Sequence, residues 1–309
     1  LSKKTGECAL CKRKNQVLKL SHIIPKFTYE REKTYQNSRF RNFFNPYDVF
    51  QDGEKKHLLC GDCEQYFSKY ECEFARKFLN KYLKVPNQFN DISDLIYDGI
   101  NNYIVSVAWR ILYDDLYIYN SYEGDSNRIV FEELEKRLRK YLNQNRKDIQ
   151  IADEYPSDFD FDKLSFGEKI AFCEKENSTL ETLEDISCNI FTLKQLGCTE
   201  PMINLIQDKI FGYCFWCANT KDYIVFAIAN GLAITVKLCY QRTININLDS
   251  KNLCISSESK NVEIELYEEL NKYIFDRLEK SKPIVDKFLN ENNNREKIIN
   301  RYRNQKRKK

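Results

Sequence analysis

The sequence predicts an α+β fold, with helices and antiparallel strands in separate runs of the chain, and three observations carry that prediction. Two Cys-x-x-Cys pairs, Cys8/Cys11 and Cys60/Cys63, bracket a short apolar strand and lead into a helical pattern. Apolar residues then recur at three- and four-residue steps between Phe67 and Leu142, the period of helices packed on one face. Two β-prone runs meet at Asn230-Gly231, and Asn-Gly supplies the positive φ angles of a type I′ hairpin turn.

In chain order, Val17 to Ile24 alternates as a strand, with Leu18, Leu20, His22 and Ile24 expected on one face and Pro25 stopping it. Residues 26–56 are polar and aromatic without clear period, and Asp52-Gly53 marks a turn. Leu58-Leu59-Cys60 reads as a second short strand. A helix follows the second cysteine turn, burying Phe67, Tyr70, Phe74 and Phe78 as one stripe and ending before Pro86. From Ile92 the pattern Leu95, Ile96, Ile100, Tyr103, Ile104, Val107, Ala108, Ile111, Leu112 predicts a long helix with Gly99 inside it. A second helix is expected over 129–142, with Lys136, Arg137, Arg139 and Lys140 outward.

Residues 150–200 read as acidic loops with one or two short helices. Five antiparallel strands are expected over about 210–257. Helices follow from about Val262, divided near Pro283 and ending in a basic tail. This gives three units: 1–86, 87–150 as a helical segment packed on the first, and 151–309 as a sheet domain with C-terminal helices.

The composition, 42% hydrophobic and 31% charged over 309 residues, is that of an ordinary globular chain. Its longest apolar run, Tyr223 to Val236, is shorter than a membrane span and is interrupted by Asn230-Gly231, so no membrane association is expected. Twelve cysteines without an apolar leader point to a reducing, cytoplasmic setting where paired cysteines bind metal. A net charge of +3 hides segregation: residues 1–41 hold 11 Lys/Arg against 3 Asp/Glu, 295–309 hold 8 against 1, and 152–190 hold 3 against 11. Basic ends suit a polyanionic partner, nucleic acid, with DNA expected before RNA; a solvated face or tail is the plainer reading of the same charges. A protein partner would use the C-terminal domain.

Cys8, Cys11, Cys60 and Cys63 are the expected structural zinc ligands, because each two-residue gap lets one turn aim two thiolates at a single ion. A closed site of this kind is worth about 10–16 kcal/mol of apparent binding energy, enough to hold a small treble-clef-like ββα unit together. Cys214 and Cys217 repeat the spacing, but within a strand they face opposite sides and read as buried thiols. Cys72, Cys173, Cys239 and Cys254 read as small core residues.

Cys8-Ala9-Leu10-Cys11, Ser21-His22-Ile23-Ile24-Pro25 and His57-Leu58-Leu59-Cys60-Gly61-Asp62-Cys63-Glu64 together resemble the zinc-bearing HNH endonucleases of the ββα-metal fold. The resemblance covers about a quarter of the chain. A second similarity is to a bacterial group that pairs Ser-His-Ile-Ile-Pro-Lys-Phe with Gln-Asp-Gly and Leu-Leu-Cys-x-x-Cys-Glu. Here those are residues 21–27, 51–53 and 58–64, and Ser106-Val107-Ala108-Trp109-Arg110 also fits. That group brings no activity with it.

The HNH resemblance implies a metal-dependent DNA endonuclease with a place in bacterial defence. His22 would be the general base, His57 would stand near the family's orienting Asn, and Glu64 would replace the last His as ligand to Mg²⁺ or a similar ion. The family commonly has an acidic ligand before the catalytic His, and this chain has Ser21. Asp52, Glu71 and Asp62 are all open as completing ligands. Each residue also has a structural reading: His22 as a strand-end histidine beside a zinc knuckle, His57 as a surface or supporting residue, Glu64 as a first-turn carboxylate favoured by the helix dipole. The alternative function is a non-catalytic zinc unit that binds nucleic acid or a protein partner.

Overall fold

The computed structural model describes residues 4–29, 40–41, 47, 49–50, 53–84, 92–144, 146, 185–207, 209–217, 222–239 and 260–291. Helices and antiparallel sheets occupy separate runs, as an α+β chain requires. Strand β1 (Thr5–Gly6) pairs with β2 (Gln16–His22), which pairs with a strand over Lys55–Cys60. Between them lies a two-residue pairing of β3 (Phe40–Arg41) with β4 (Val49–Phe50), so Lys55–Cys60 is β5. Helix α1 (Gly61–Phe74) begins at the residue after Cys60 and continues as a π turn over Ala75–Leu79.

The strand alternation expected from Val17 to Ile24 is broken. The pairing slips between Lys19 and Leu20, so Leu58 becomes an extra residue on β5, a β-bulge. Burial no longer alternates along β2 past the slip: Leu18 is buried, Leu20 is 52% exposed, and Ser21 is buried. Leu18 and Leu20 therefore do not form one buried row.

Helix α2 (Ile100–Tyr113) starts later than its apolar period suggests. Gly99 is its N-cap rather than an interior residue, with φ of 92°, a conformation only glycine adopts without strain. The chain before it makes a 3₁₀ turn over Ser93–Leu95. Helix α2 packs on α1 through Phe74 stacked on Tyr103 (3.8 Å between centroids) and Phe67 edge-on to Trp109. Helix α3 (Arg128–Gln144) lies against α2. Arg139, expected outward, is buried: it pairs with Glu135 at 2.9 Å, and the same carboxylate oxygen accepts the Trp109 indole N–H at 2.8 Å. A basic residue on the polar face of a helix is drawn inward when a buried carboxylate and an indole wait there.

The second sheet has four antiparallel strands in the order β6-β9-β8-β7: β6 (Asp185–Thr192), β7 (Phe211–Cys217), β8 (Asp222–Ala229) and β9 (Leu232–Cys239). Strand β6 is a strand where loops and helices were expected, because its acidic flank masks the alternation of Ile186, Cys188 and Ile190. The Asn230-Gly231 turn is present, with φ of 55° and 73°. The strands expected over 243–248 and 253–256 lie outside the described residues, as does the basic tail from 295.

Both faces of this sheet are covered. Ile186, Cys188, Ile190, Tyr223, Val225, Ala227, Ile234, Val236 and Leu238 join one core with α2 and the N-terminal elements. Ile224, Phe226 and Ile228 face a second core with Leu193, Leu196 and Met202 near helix α4 (Glu200–Ile206). Cys214 enters the first core and Cys217 the second, so this Cys-x-x-Cys does straddle the sheet. Cys72 is exposed, not a core residue; Cys173 and Cys254 lie outside the described residues. Helix α5 runs unbroken from Lys260 to Asn290 with Pro283 inside it, where two helices were expected. No helix among the described residues is long and apolar enough to cross a membrane.

Candidate metal centre

The turn at Cys8–Cys11 is closed by two backbone hydrogen bonds, Lys12 N–H to the Cys8 carbonyl at 2.9 Å and Cys8 N–H to the Arg13 carbonyl at 3.0 Å. Lys12 takes a positive φ of 58° to complete it. The turn docks on the β5 bulge, where the Leu58 carbonyl accepts the Ala9 N–H at 3.0 Å. The second pair joins a strand end to a helix start, Cys60 closing β5 and Cys63 lying in the first turn of α1. All four thiols are buried, and their sulfurs lie within 4.8 Å of one another, placed to hold a metal ion such as zinc.

Every sulfur accepts an N–H. Cys8 Sγ accepts from the Cys60 backbone at 3.3 Å, and Cys63 Sγ from Arg146 Nη1 at 3.0 Å. Arg13 donates through Nε to Cys11 at 3.4 Å and through Nη2 to Cys60 at 3.3 Å, and its Nη2 also meets Asp62 at 2.6 Å. Four thiolates around a divalent ion carry a net double negative charge, and two guanidinium groups answer it. Without metal, Cys8, Cys11 and Cys63 share charge unequally. Hydrogen bonds from Cys63 and Cys8 hold the Cys11 thiol far below its ordinary range, and the bond to Cys11 pushes Cys8 up to about 12. Cys63 is raised as well, first by its bond to Cys11. A metal ion that binds all four sulfurs must displace those protons, so its affinity rises with pH.

One buried guanidinium touches two of the residues singled out for chemistry, the backbone of His22 and the carboxylate of Glu71. Arg110, on α2 and 2% exposed, donates from Nη1 to the His22 carbonyl at 3.0 Å and from Nε to the Ser106 carbonyl at 3.1 Å. Its Nη2 is 2.9 Å from Glu71 Oε1, and its plane stands over the Phe67 ring. Burial raises the Glu71 carboxyl, Arg110 pulls it back down, and the negative charge of Glu64, on the same helix, raises it further. Glu64 Oε1 is buried and has no hydrogen-bond partner among the described residues.

His57 pairs in register with Leu20 and places its Nδ1 3.3 Å from the Leu18 carbonyl, on an exposed stretch of β5. Of the three completing acids, Asp62 is paired with Arg13 and Glu71 with Arg110, while Asp52 lies outside the described residues. Ser21 is buried, and among the described residues its hydroxyl donates only a long 3.5 Å hydrogen bond to the Lys19 carbonyl.

Arg13 and Arg146 carry no mark in the sequence, and Arg110 stands out there only as the last residue of the Ser106-Val107-Ala108-Trp109-Arg110 stretch. Arg13, Arg146 and Arg110 sit at ordinary basic positions, and no spacing rule ties them to sulfur or to His22, since Arg110 lies 88 residues beyond the histidine it holds. Comparison of the chain with models of protein families, with curated proteins and with solved structures gives no match.

Proposed function

We propose that this chain is a zinc-stapled, HNH-like endonuclease acting on DNA, with the second sheet as its specificity, regulatory or partner-binding part. The observation that supports this most is the carboxylate oxygen of Glu64, buried and without a hydrogen-bond partner among the described residues, on a helix tied through Arg110 to the end of the His22 strand. A buried carboxylate oxygen needs a donor or a cation, and Arg110 is already committed to Glu71.

In this reading Cys8, Cys11, Cys60 and Cys63 hold zinc and do no chemistry. His22 takes the proton of the attacking water, the general-base role for which an imidazole is the commonest side chain. Glu64 is the residue that would hold Mg²⁺ or a similar hard cation, which takes one or two carboxylates and fills its remaining positions with water and phosphate oxygens. When bound, such an ion stabilises the negative charge on the leaving oxygen. The N-terminal excess of lysine and arginine would draw in the phosphate backbone.

Two observations favour the second reading, a non-catalytic zinc unit binding nucleic acid or a protein. Ser21 is buried where the family carries an acidic ligand, and His57 rests on a backbone carbonyl. Plasmid nicking separates the two. The nuclease reading expects cleavage that needs a divalent ion and is lost in His22→Ala and in Glu64→Gln while one zinc per chain is retained. Cleavage at the wild-type rate in His22→Ala would refute it, and DNA retention without any cleavage establishes the second reading.

A further inference from the structure

We propose that Arg110 is a positioning residue for His22, fixing the strand end that carries the imidazole; the catalytic part of this inference rests on the nuclease reading above. Helix α2 is buried along most of its length and almost wholly apolar, yet Ser106, Arg110 and Asp114 follow at four-residue steps, each buried. That stripe faces the end of the β2–β5 pair: Arg110 reaches the His22 carbonyl, and Asp114 lies close enough to Lys56 and Glu54 to feel their charges. Taking a guanidinium out of water costs several kcal/mol unless nearly every donor is matched, so an apolar residue would be the cheaper filling for this place. What the arginine adds is a rigid fork. Nε and Nη1 donate to its own helix and to the last residue of β2, and Nη2 forms an ion pair with a carboxylate on α1 without hydrogen-bond alignment, so three elements meet at one guanidinium beside the Phe67 ring.

The effect on His22 follows from the backbone. Its partner in the ladder is Lys55 on one side, and its carbonyl is held by Arg110 on the other. With the backbone of His22 anchored on both sides, the direction of its Cα–Cβ bond is set, and only the side-chain torsions are left to the ring. Lysine cannot replace this arrangement, because one ammonium has neither the planar fork nor the reach to serve all three partners. Glu71 has a matching part: by neutralising Arg110 it allows the buried cation to exist, and it is spent in doing so.

Histidine makes the test direct, since the chain has only two, His22 and His57. The full-length, zinc-loaded protein is labelled with ¹³C-histidine, and the two ring signals are assigned with His57→Gln. In Arg110→Lys and Arg110→Met the His22 signal moves and the His57 signal stays, and in the nicking assay kcat falls about 10- to 100-fold at unchanged KM, the scale on which misplaced catalytic groups lose rate. Glu71→Gln, which loosens the fork without removing it, moves the same signal and serves if neither arginine variant folds. A His22 signal at its wild-type position in a folded variant overturns the inference, and so does a displaced signal with kcat unchanged. Absence of cleavage by the wild-type protein refutes the nuclease reading alone, and the ring signals then decide whether Arg110 positions His22.

Discussion

Replacing Arg146 by methionine tests the metal cage where it is most deeply buried. Arg146 lies just beyond α3, is 6% exposed, donates to Cys63 Sγ at 3.0 Å, and lays its guanidinium over the Tyr66 ring. Methionine keeps an apolar stem over that ring and removes both the charge and the donors. Two unit charges about 4 Å apart at an effective dielectric of about 20 interact by about 4 kcal/mol, an upper bound on what can be lost. Hydrogen-bond partners of metal ligands, when removed, cost about 10- to 100-fold in affinity, which is about 1.4–2.8 kcal/mol.

Arg13 makes a useful comparison, because it touches two sulfurs rather than one. Counting contacts would make it the more important residue. However, its side chain is 29% exposed and it is also paired with Asp62, whose own side chain is 59% exposed, so solvent screens it and a carboxylate cancels part of its charge. The expected order is therefore Arg146→Met losing about 10- to 100-fold and Arg13→Met losing less than about fivefold. Competition between the zinc-loaded protein and a chromogenic chelator gives both numbers. Cobalt in place of zinc checks the ligand set through its sulfur-to-metal absorption. An Arg146→Met affinity within twofold of wild type, or Arg13→Met as the weaker binder, would show that burial does not govern how these cations act on the cage.

Two further outcomes follow from the packing. Asp114 is buried, one of its oxygens has no hydrogen-bond partner among the described residues, and desolvation with the nearby Glu54 raises its carboxyl to about 7. The folded protein keeps that proton between about pH 4 and 7 while the unfolded chain loses it, so stability falls as pH rises through this window. Asp114→Asn should gain on wild type by up to about 4 kcal/mol across it in urea titrations, and parallel curves from pH 4 to 8 would contradict the shift. At the contact between sheet and helix, a Cβ on Gly212 would lie 2.4 Å from Ile111 Cδ1 and 3.1 Å from the Phe226 carbonyl. Gly212→Ala should lower stability by about 1–3 kcal/mol, and an unchanged melting temperature would mean that β7 does not pack this closely on α2.

The parts of this structure that were legible in the sequence are those written in local spacing. A two-residue gap between cysteines, a three- to four-residue apolar period and an Asn-Gly step each specify geometry within one turn, and the clustered thiols, α1 to α3 and the β8–β9 hairpin follow them. What was not legible depends on residues far apart in the chain. Arg139 reads as outward because a helix seen alone shows its partner Glu135 one turn away but not Trp109 of α2, which meets that carboxylate in the core. Strand β6 was missed because its pairing partner, β9, supplies the regularity that its acidic surroundings hide. Pro283 reads as a break, although a proline that removes one helix hydrogen bond need not end a long helix, and α5 runs through it.

The β-bulge at Leu58 links these two scales and explains why the candidate site could be named from sequence but not arranged. Without it, β2 and β5 would pair in unbroken register, and the Leu58 carbonyl would belong to the ladder. With it, the Leu58 carbonyl is turned out to accept the Ala9 N–H, which seats the first cysteine turn against the second. Past the slip Leu20 is exposed and Ser21 buried, and the end of β2 meets helix α2 through the His22 carbonyl and Arg110. A buried polar strand end needs partners, and Arg110 supplies one to the His22 carbonyl. Cage and His22 are thus set by one extra residue, and deleting Leu58 should disturb both at once. Zinc affinity and the His22 ring signal would change together, whereas a deletion that altered the ring signal and left zinc binding intact would separate the two sites that the bulge connects here.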